Sequence, residues 1–159
     1  MFREMRRIKQ QLPQDRCIEL LKNEKRCVLS FHGDDGYPSG VPMNFWYDEE
    51  TGHVYLHGAK AGHRIDSLRK DNKICLTVYN SGVKLDENDW AYYVASVMIY
   101  GKAYMVDDPY FANEKIFKLA EKYFPTREEI HETMEQYARH MQVFEIRIDH
   151  MTGKLVHEK

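Results

Sequence analysis

A chain of 159 residues with 43% hydrophobic residues and a net charge of −2 is long enough to bury one core and short for two. Its 23 Lys+Arg against 25 Asp+Glu create no long-range positive field, which argues against nucleic acid as the partner. No run approaches the roughly 20 apolar residues of a membrane span, and no signal-peptide core follows the basic start, so one cytoplasmic domain over 1–159 without membrane contact is expected.

In chain order, Cys17, Ile18, Leu20 and Leu21 recur among charges near period 3.6, which predicts a first helix at about 14–24. The period then switches. Short β-branched and aromatic runs, separated by the turn-forming "GDDGYPSG" and "DEETG", predict strands at about 26–32, 39–47 and 53–58 in two successive hairpins. "HRIDSLRKDN" predicts a short helix from about His63 that buries Ile65 and Leu68, and "KICLTVYN" predicts a fourth strand. "AYYVASVMIYGKAYMV" is too long for a typical strand, so a bend near Gly101 is expected.

Asp108-Pro109 suits the start of a helix striped by Ile116, Leu119, Ala120 and Tyr123. Thr126 and Glu129 have capping-box spacing ahead of Ile130, Met134, Tyr137 and Met141. "QVFEIRID" reads as a closing strand and "TGKLV" as a turn with a short extension. The sum is a mainly β (β+α) fold: an antiparallel barrel with flanking helices. Cys17, Cys27 and Cys75 are odd in number and far apart, which suits reduced thiols.

The stretch "HGAKAGHRIDSLRKDN" concentrates chemistry where a strand hands over to a helix. Alternation puts Val54 and Leu56 on one face, and Tyr55 and His57 on the other. Gly58 and Gly62 permit close backbone approach, and the helix's free N–H groups and positive dipole end lie beside Lys60, His63 and Arg64. A phosphate dianion suits that combination; a solvated loop with ordinary surface charge fits the same residues. Arg69 and Lys70, in the last helical turn, offset the negative dipole end. In "SGVPMNFWYD", Pro42 inside a strand marks an edge or bulge. There a flat ligand could take hydrogen bonds from N–H groups near Met43, Asn44 and Phe45, with Trp46 left to the core or to a dimer contact.

"VPMNFWY", "VYLHGAKAGHRIDSLRKDNKICLTV" and "SVMIYGKAYMVDD" together resemble the FMN-binding split-barrel family related to pyridoxamine 5'-phosphate oxidase, especially its nitroimidazole-resistance branch. The resemblance, from about Met5 to Gly153, implies an antiparallel split β-barrel, a homodimer, and FMN at the subunit interface. It further implies that Met43, Asn44 and Phe45 line the isoalloxazine, that Gly58, Ala59, Gly62, His63 and Arg64 hold the ribityl phosphate, and that Ser96 and Val97 approach the flavin. His57 matches a histidine with a role at the flavin, here taken as catalytic. Relatives often carry lysine where His63 stands, and a Tyr-Arg pair where this chain has Val94-Ala95.

The expected activity is an FMN-dependent oxidoreductase that takes electrons from NAD(P)H and passes them to a small acceptor. The alternative is a non-catalytic carrier or sensor for FMN or haem. His131 with Glu135, or His57 with His63, could face one metal, but "HETME" lacks the second histidine of a zinc-protease helix and no metal is expected. No Gly-x-Ser-x-Gly elbow supports a hydrolase. Oxidation of pyridoxamine phosphate is disfavoured, because few clustered cations remain for a second phosphate.

Overall fold

The computed structural model of the chain describes residues 1–159. Its strands are β1 (Gln11–Leu12), β2 (Cys27–His32), β3 (Pro38–Met43), β4 (Trp46–Asp48), β5 (His53–Ala59), β6 (Lys73–Tyr79), β7 (Tyr93–Val106) and β8 (Met141–His157). Its helices are α1 (Gln14–Asn23), α2 (His63–Lys70), α3 (Pro109–Glu121) and α4 (Arg127–Tyr137). The strands form one antiparallel sheet in the order β3-β2-β6-β7-β8-β5-β4, with β1 on β8. β3 and β4 end that order and do not pair, yet only Asn44 and Phe45 join them. The sheet therefore rolls until its edges meet at that point, giving the expected split barrel. None of the helices is long and apolar enough to cross a membrane.

Alternation along the strands fills the interior. Leu29, Leu56, Leu76, Val97, Ile99, Phe144 and Ile146 pack there with Cys17 and Leu21 of α1 and with Ile65 and Leu68 of α2. A second, smaller cluster lies outside the barrel, where Tyr55 and Val143 meet Ile116 of α3, with Met134 of α4 packed against them. Tyr55 and His57 thus face α3 and α4, while Val54 and Leu56 face inward, as the alternation predicts. Asp108 accepts from the Tyr110 N–H at 2.9 Å and Thr126 from the Glu129 N–H at 3.3 Å, capping α3 and α4.

The expected strand at 39–47 is broken. β3 pairs with β2, whereas the second hairpin joins β4 to β5. The break falls where Phe45 turns its ring into the core and gives its backbone hydrogen bonds to the Tyr123 hydroxyl instead of a ladder. Pro42 does lie on an edge strand, as its missing N–H demands. The bend expected near Gly101 is a register shift between Tyr100 and Gly101.

"TGKLV" is not a turn, because β8 continues through it to His157. Gly153 pairs with Val97 and Leu12 inside the ladder. A Cβ there would run into the Cys17 thiol, so this glycine serves close approach of α1 to the sheet. α4 stops at Tyr137, short of Met141, which joins the same apolar cluster from the start of β8.

Candidate functional site

α2 begins after Gly62, which sits at φ 118 and ψ 178 with no side-chain cap. Only glycine reaches that backbone shape without strain, and the first-turn N–H groups are left open. The Arg64 side chain folds back across β5, where a Cβ on Gly58 would run into its guanidinium. Its Nη1 donates to Met43 Sδ at 3.6 Å, and Cζ stands 5.6 Å from the centre of the Phe144 ring. Its Nε is buried without any partner, and burial draws its pKa below the usual arginine value. A half-buried guanidinium whose Nε is shut off from solvent without an acceptor is costly unless an anion joins it. A groove kept clear by glycine, an orphaned Arg64 donor and an uncapped helix start together suit a phosphate group.

Next to Arg64, His57 opens onto a cavity of about 250 Å³ between β5 and the two outer helices. Asn44, Tyr123 and Thr133 are its other polar lining residues, and Ile116, Leu119, Ile130 and Met134 form most of the apolar wall. Burial, helped by the Arg64 charge, pushes the His57 pKa below 6.5. The imidazole is therefore neutral near pH 7, with one N–H donor and one lone-pair acceptor. The unfolded chain binds this proton more readily than the folded one, so His57 destabilises the fold as pH falls below about 6.5. Replacing His57 with Asn should shrink the stability lost between pH 7 and 5, as measured by urea unfolding at each pH; equal losses would show that His57 does not titrate in this way.

The structure gathers Met43, Asn44, His57, Gly58 and Arg64, and sends the other expected residues elsewhere. Ala59, Lys60, Gly62 and His63 are exposed. Lys60 lines a neighbouring cleft of about 420 Å³ that shares Met134, Ala138 and Met141 with the His57 cavity. His63 turns to the β2–β3 turn, with Nε2 3.5 Å from Asp34 Oδ2 and its ring against Phe31. The three cations thus point three ways. Phe45 and Val97 are fully buried in the core. Ser96 sits between Tyr79 and Lys154, near the far end of β8 from Val143, the partner of His57. His131 packs its ring on Phe117 rather than meeting the other histidines.

What sequence reading missed is the clamp on the Asn44–Phe45 crossover. Tyr123 Oη accepts from the Phe45 N–H at 2.9 Å and lies 2.8 Å from the Phe45 carbonyl and 2.9 Å from that of Lys25. Lys122 Nζ donates to the carbonyls of Leu21 and Phe45 at 3.0 and 3.3 Å, and stands 3.8 Å above the Phe45 ring. These contacts fix the peptide that carries Met43 and Asn44. Tyr123→Phe strands the Phe45 N–H, so urea unfolding should show a loss of about 1–3 kcal/mol. A loss below about 0.5 kcal/mol would mean that water replaces the hydroxyl.

A family model described as pyridoxamine 5'-phosphate oxidase matches residues 13–155. The chain belongs to this family. Among solved structures resembling this family member is a candidate 5-nitroimidazole antibiotic resistance protein of Bacteroides thetaiotaomicron. It is 21% identical with a TM-score of 0.76, over 91% of this chain and 86% of that one. An FAD-binding protein of Mesorhizobium loti is 18% identical with a TM-score of 0.65, over 92% and 96%. An FAD- and haem-binding protein of Mycobacterium smegmatis is 17% identical with a TM-score of 0.72, over 94% and 74%. At these identities the likeness shows the fold alone, and no curated protein sequence matches the chain significantly.

Proposed function

We propose that this member of the pyridoxamine 5'-phosphate oxidase family is an FMN-dependent oxidoreductase that takes electrons from NAD(P)H and delivers them to a small acceptor. The observation that carries the reading is the unsatisfied Arg64 guanidinium over Gly58, beside the open start of α2. Arg64 and the first N–H groups of α2 hold the flavin phosphate, with Ala59 and Gly62 beside it, while Met43 and Asn44 border the ring; His63, drawn to Asp34, stands aside. Bound flavin supplies two-electron transfer that no side chain of this protein performs. His57 supplies the proton: as a neutral imidazole it gives its ring N–H to an acceptor or takes a proton at the bare nitrogen. The apolar wall keeps water from it.

Ser96 contributes from a second copy, since it lies at the opposite end of β8 from the His57 pairing, whereas Val97 stays in the core. The sheet face around Ser96 displays Tyr79, Met98 and Tyr100, and the loop between β6 and β7 exposes Trp90. An apolar face of that kind suits association of two chains.

Anaerobic addition of NADH or NADPH to FMN-loaded protein should bleach the flavin within seconds, and an added acceptor should restore the colour. Flavin that neither nicotinamide reduces would favour the carrier reading. His57→Asn should retain the bound flavin yet slow reoxidation by acceptors that require a proton; an unchanged rate would remove His57 from the proton path.

A further inference from the structure

We propose that the cavity onto which His57 opens seats the acceptor, and that the acceptor is an uncharged ring compound of roughly ten non-hydrogen atoms with a hydrogen-bonding oxygen. Calling the occupant the acceptor rests on the oxidoreductase reading; its chemical class follows from the cavity alone. Size sets the first limit. An apolar cavity of about 150 Å³ admits a single benzene ring, and this one, at about 250 Å³, has room for a fused pair.

Charge sets the second limit. None of the residues that line the cavity carries a charge near pH 7: there is no carboxylate, lysine or arginine on its wall, and His57 is a neutral imidazole there. Arg64 lies over Gly58 rather than on this wall. An ion brought in would give up its water and meet no opposite charge, which is a large penalty. Polarity sets the third limit. Tyr123 commits its hydroxyl to Phe45 and Lys25, which leaves Asn44, His57 and Thr133 to face an occupant. An oxygen on the ring gives these groups a partner, while the rest of the ring packs on Ile116, Leu119 and Ile130.

The way in agrees with an uncharged occupant. Met134, Ala138 and Met141 belong to both this cavity and the cleft at Lys60, so they form the neck between the two. Methionine side chains are unbranched and adapt to what passes them. The outer cleft carries Lys60 and Arg139 against Asp107 and Glu135. Opposite charges in equal number draw in neither anions nor cations, and the apolar wall beyond the neck then selects by burial.

The test is a titration of the purified full chain at pH 7, with no flavin or nicotinamide added, by 2-naphthol, by the anion 2-naphthoate and by the cation 2-naphthylmethylammonium, followed through the methionine methyl signals in NMR spectra. 2-Naphthol should move the Met134 and Met141 signals and leave Met98, on the sheet face around Ser96, in place. It should bind about tenfold or more tightly than either ion, since neither finds a counter-charge. Ala120→Leu, which fills the cavity from α3, should weaken 2-naphthol by about tenfold or more without lowering the melting temperature. Ala138→Phe, at the half-buried neck, should weaken it as much by closing the way in, whatever the fold of the first variant. Equal binding of the three probes, unmoved Met134 and Met141 signals, or an affinity unchanged in both variants would overturn the proposal. Neither flavin nor nicotinamide takes part, so none of these outcomes turns on whether the chain binds FMN.

Discussion

Replacing Arg64 with alanine is expected to weaken FMN binding by about 1.5–3 kcal/mol, roughly ten- to a hundredfold in Kd, the range for removing a charge-assisted hydrogen bond. The fold should not suffer with it. Arg64 has a buried Nε without a partner, and its only side-chain hydrogen bond is the 3.6 Å contact to the Met43 thioether. Losing an uncompensated cation from such a place is neutral or stabilising. Melting temperature without ligand should therefore hold or rise while affinity falls, which separates a lost ligand contact from general unfolding. Arg64→Lys keeps the charge but not the fork, and should recover only part of the affinity. Equal affinity in all three proteins would place the phosphate elsewhere.

The largest expected effect on stability lies on the other side of β5. Lys115 Nζ is 3.2 Å from Asp48 Oδ2, with side chains 9% and 5% exposed. The rings of Trp46, Tyr55 and Phe111 surround the ammonium at 5.1–5.9 Å. Asp48 also accepts from the Glu50 N–H and the Thr51 hydroxyl. Burial alone would raise its pKa, but the hydrogen bonds from Lys115, Thr51 and Glu50 outweigh it and hold the carboxyl below its ordinary value. Lys115→Ala leaves the buried Asp48 carboxylate without its only cation and empties the aromatic cage, and should cost about 3–5 kcal/mol by urea unfolding. Asp48→Asn combined with Lys115→Met should recover most of that loss, because no unpaired charge remains. In the native protein the contribution of Asp48 is present above the ordinary carboxylate range and lost as pH falls through the lowered value. A Lys115→Ala protein within about 1 kcal/mol of the parent would mean that water enters and solvates Asp48.

How far the sequence carries can be judged at particular residues. The Val54–Leu56 and Tyr55–His57 alternation, the Asp108 and Thr126 caps and the bend at Gly101 depend on a few neighbouring residues, and local patterns reveal them. The Asn44–Phe45 break does not belong to that class. "PMNFWY" has strand composition throughout, and the groups that divide it, Tyr123 and Lys122, are nearly eighty residues away at the end of α3. The same limit applied to Gly153, a turn by composition yet a ladder residue because Cys17 packs against it. At the site, spacing placed Gly58 and Arg64 at the strand-to-helix junction that His57 ends, and in the structure Arg64 folds back over Gly58 there. It could not foresee that His63 finds Asp34, a carboxylate on a turn some thirty residues earlier. Nor could it supply the roof of the His57 cavity, whose residues come from α3 and α4, far along the chain.

The central claim is that a flavin mononucleotide's phosphate is held at the β5–α2 junction by Arg64. Titration of the purified protein with FMN and with riboflavin, followed by quenching of flavin fluorescence, tests it most directly, since the two ligands differ only in that phosphate. FMN should bind at least tenfold more tightly than riboflavin, and Arg64→Ala should bring the two affinities together. Equal affinities in the native protein, or no binding of either flavin, would contradict the account.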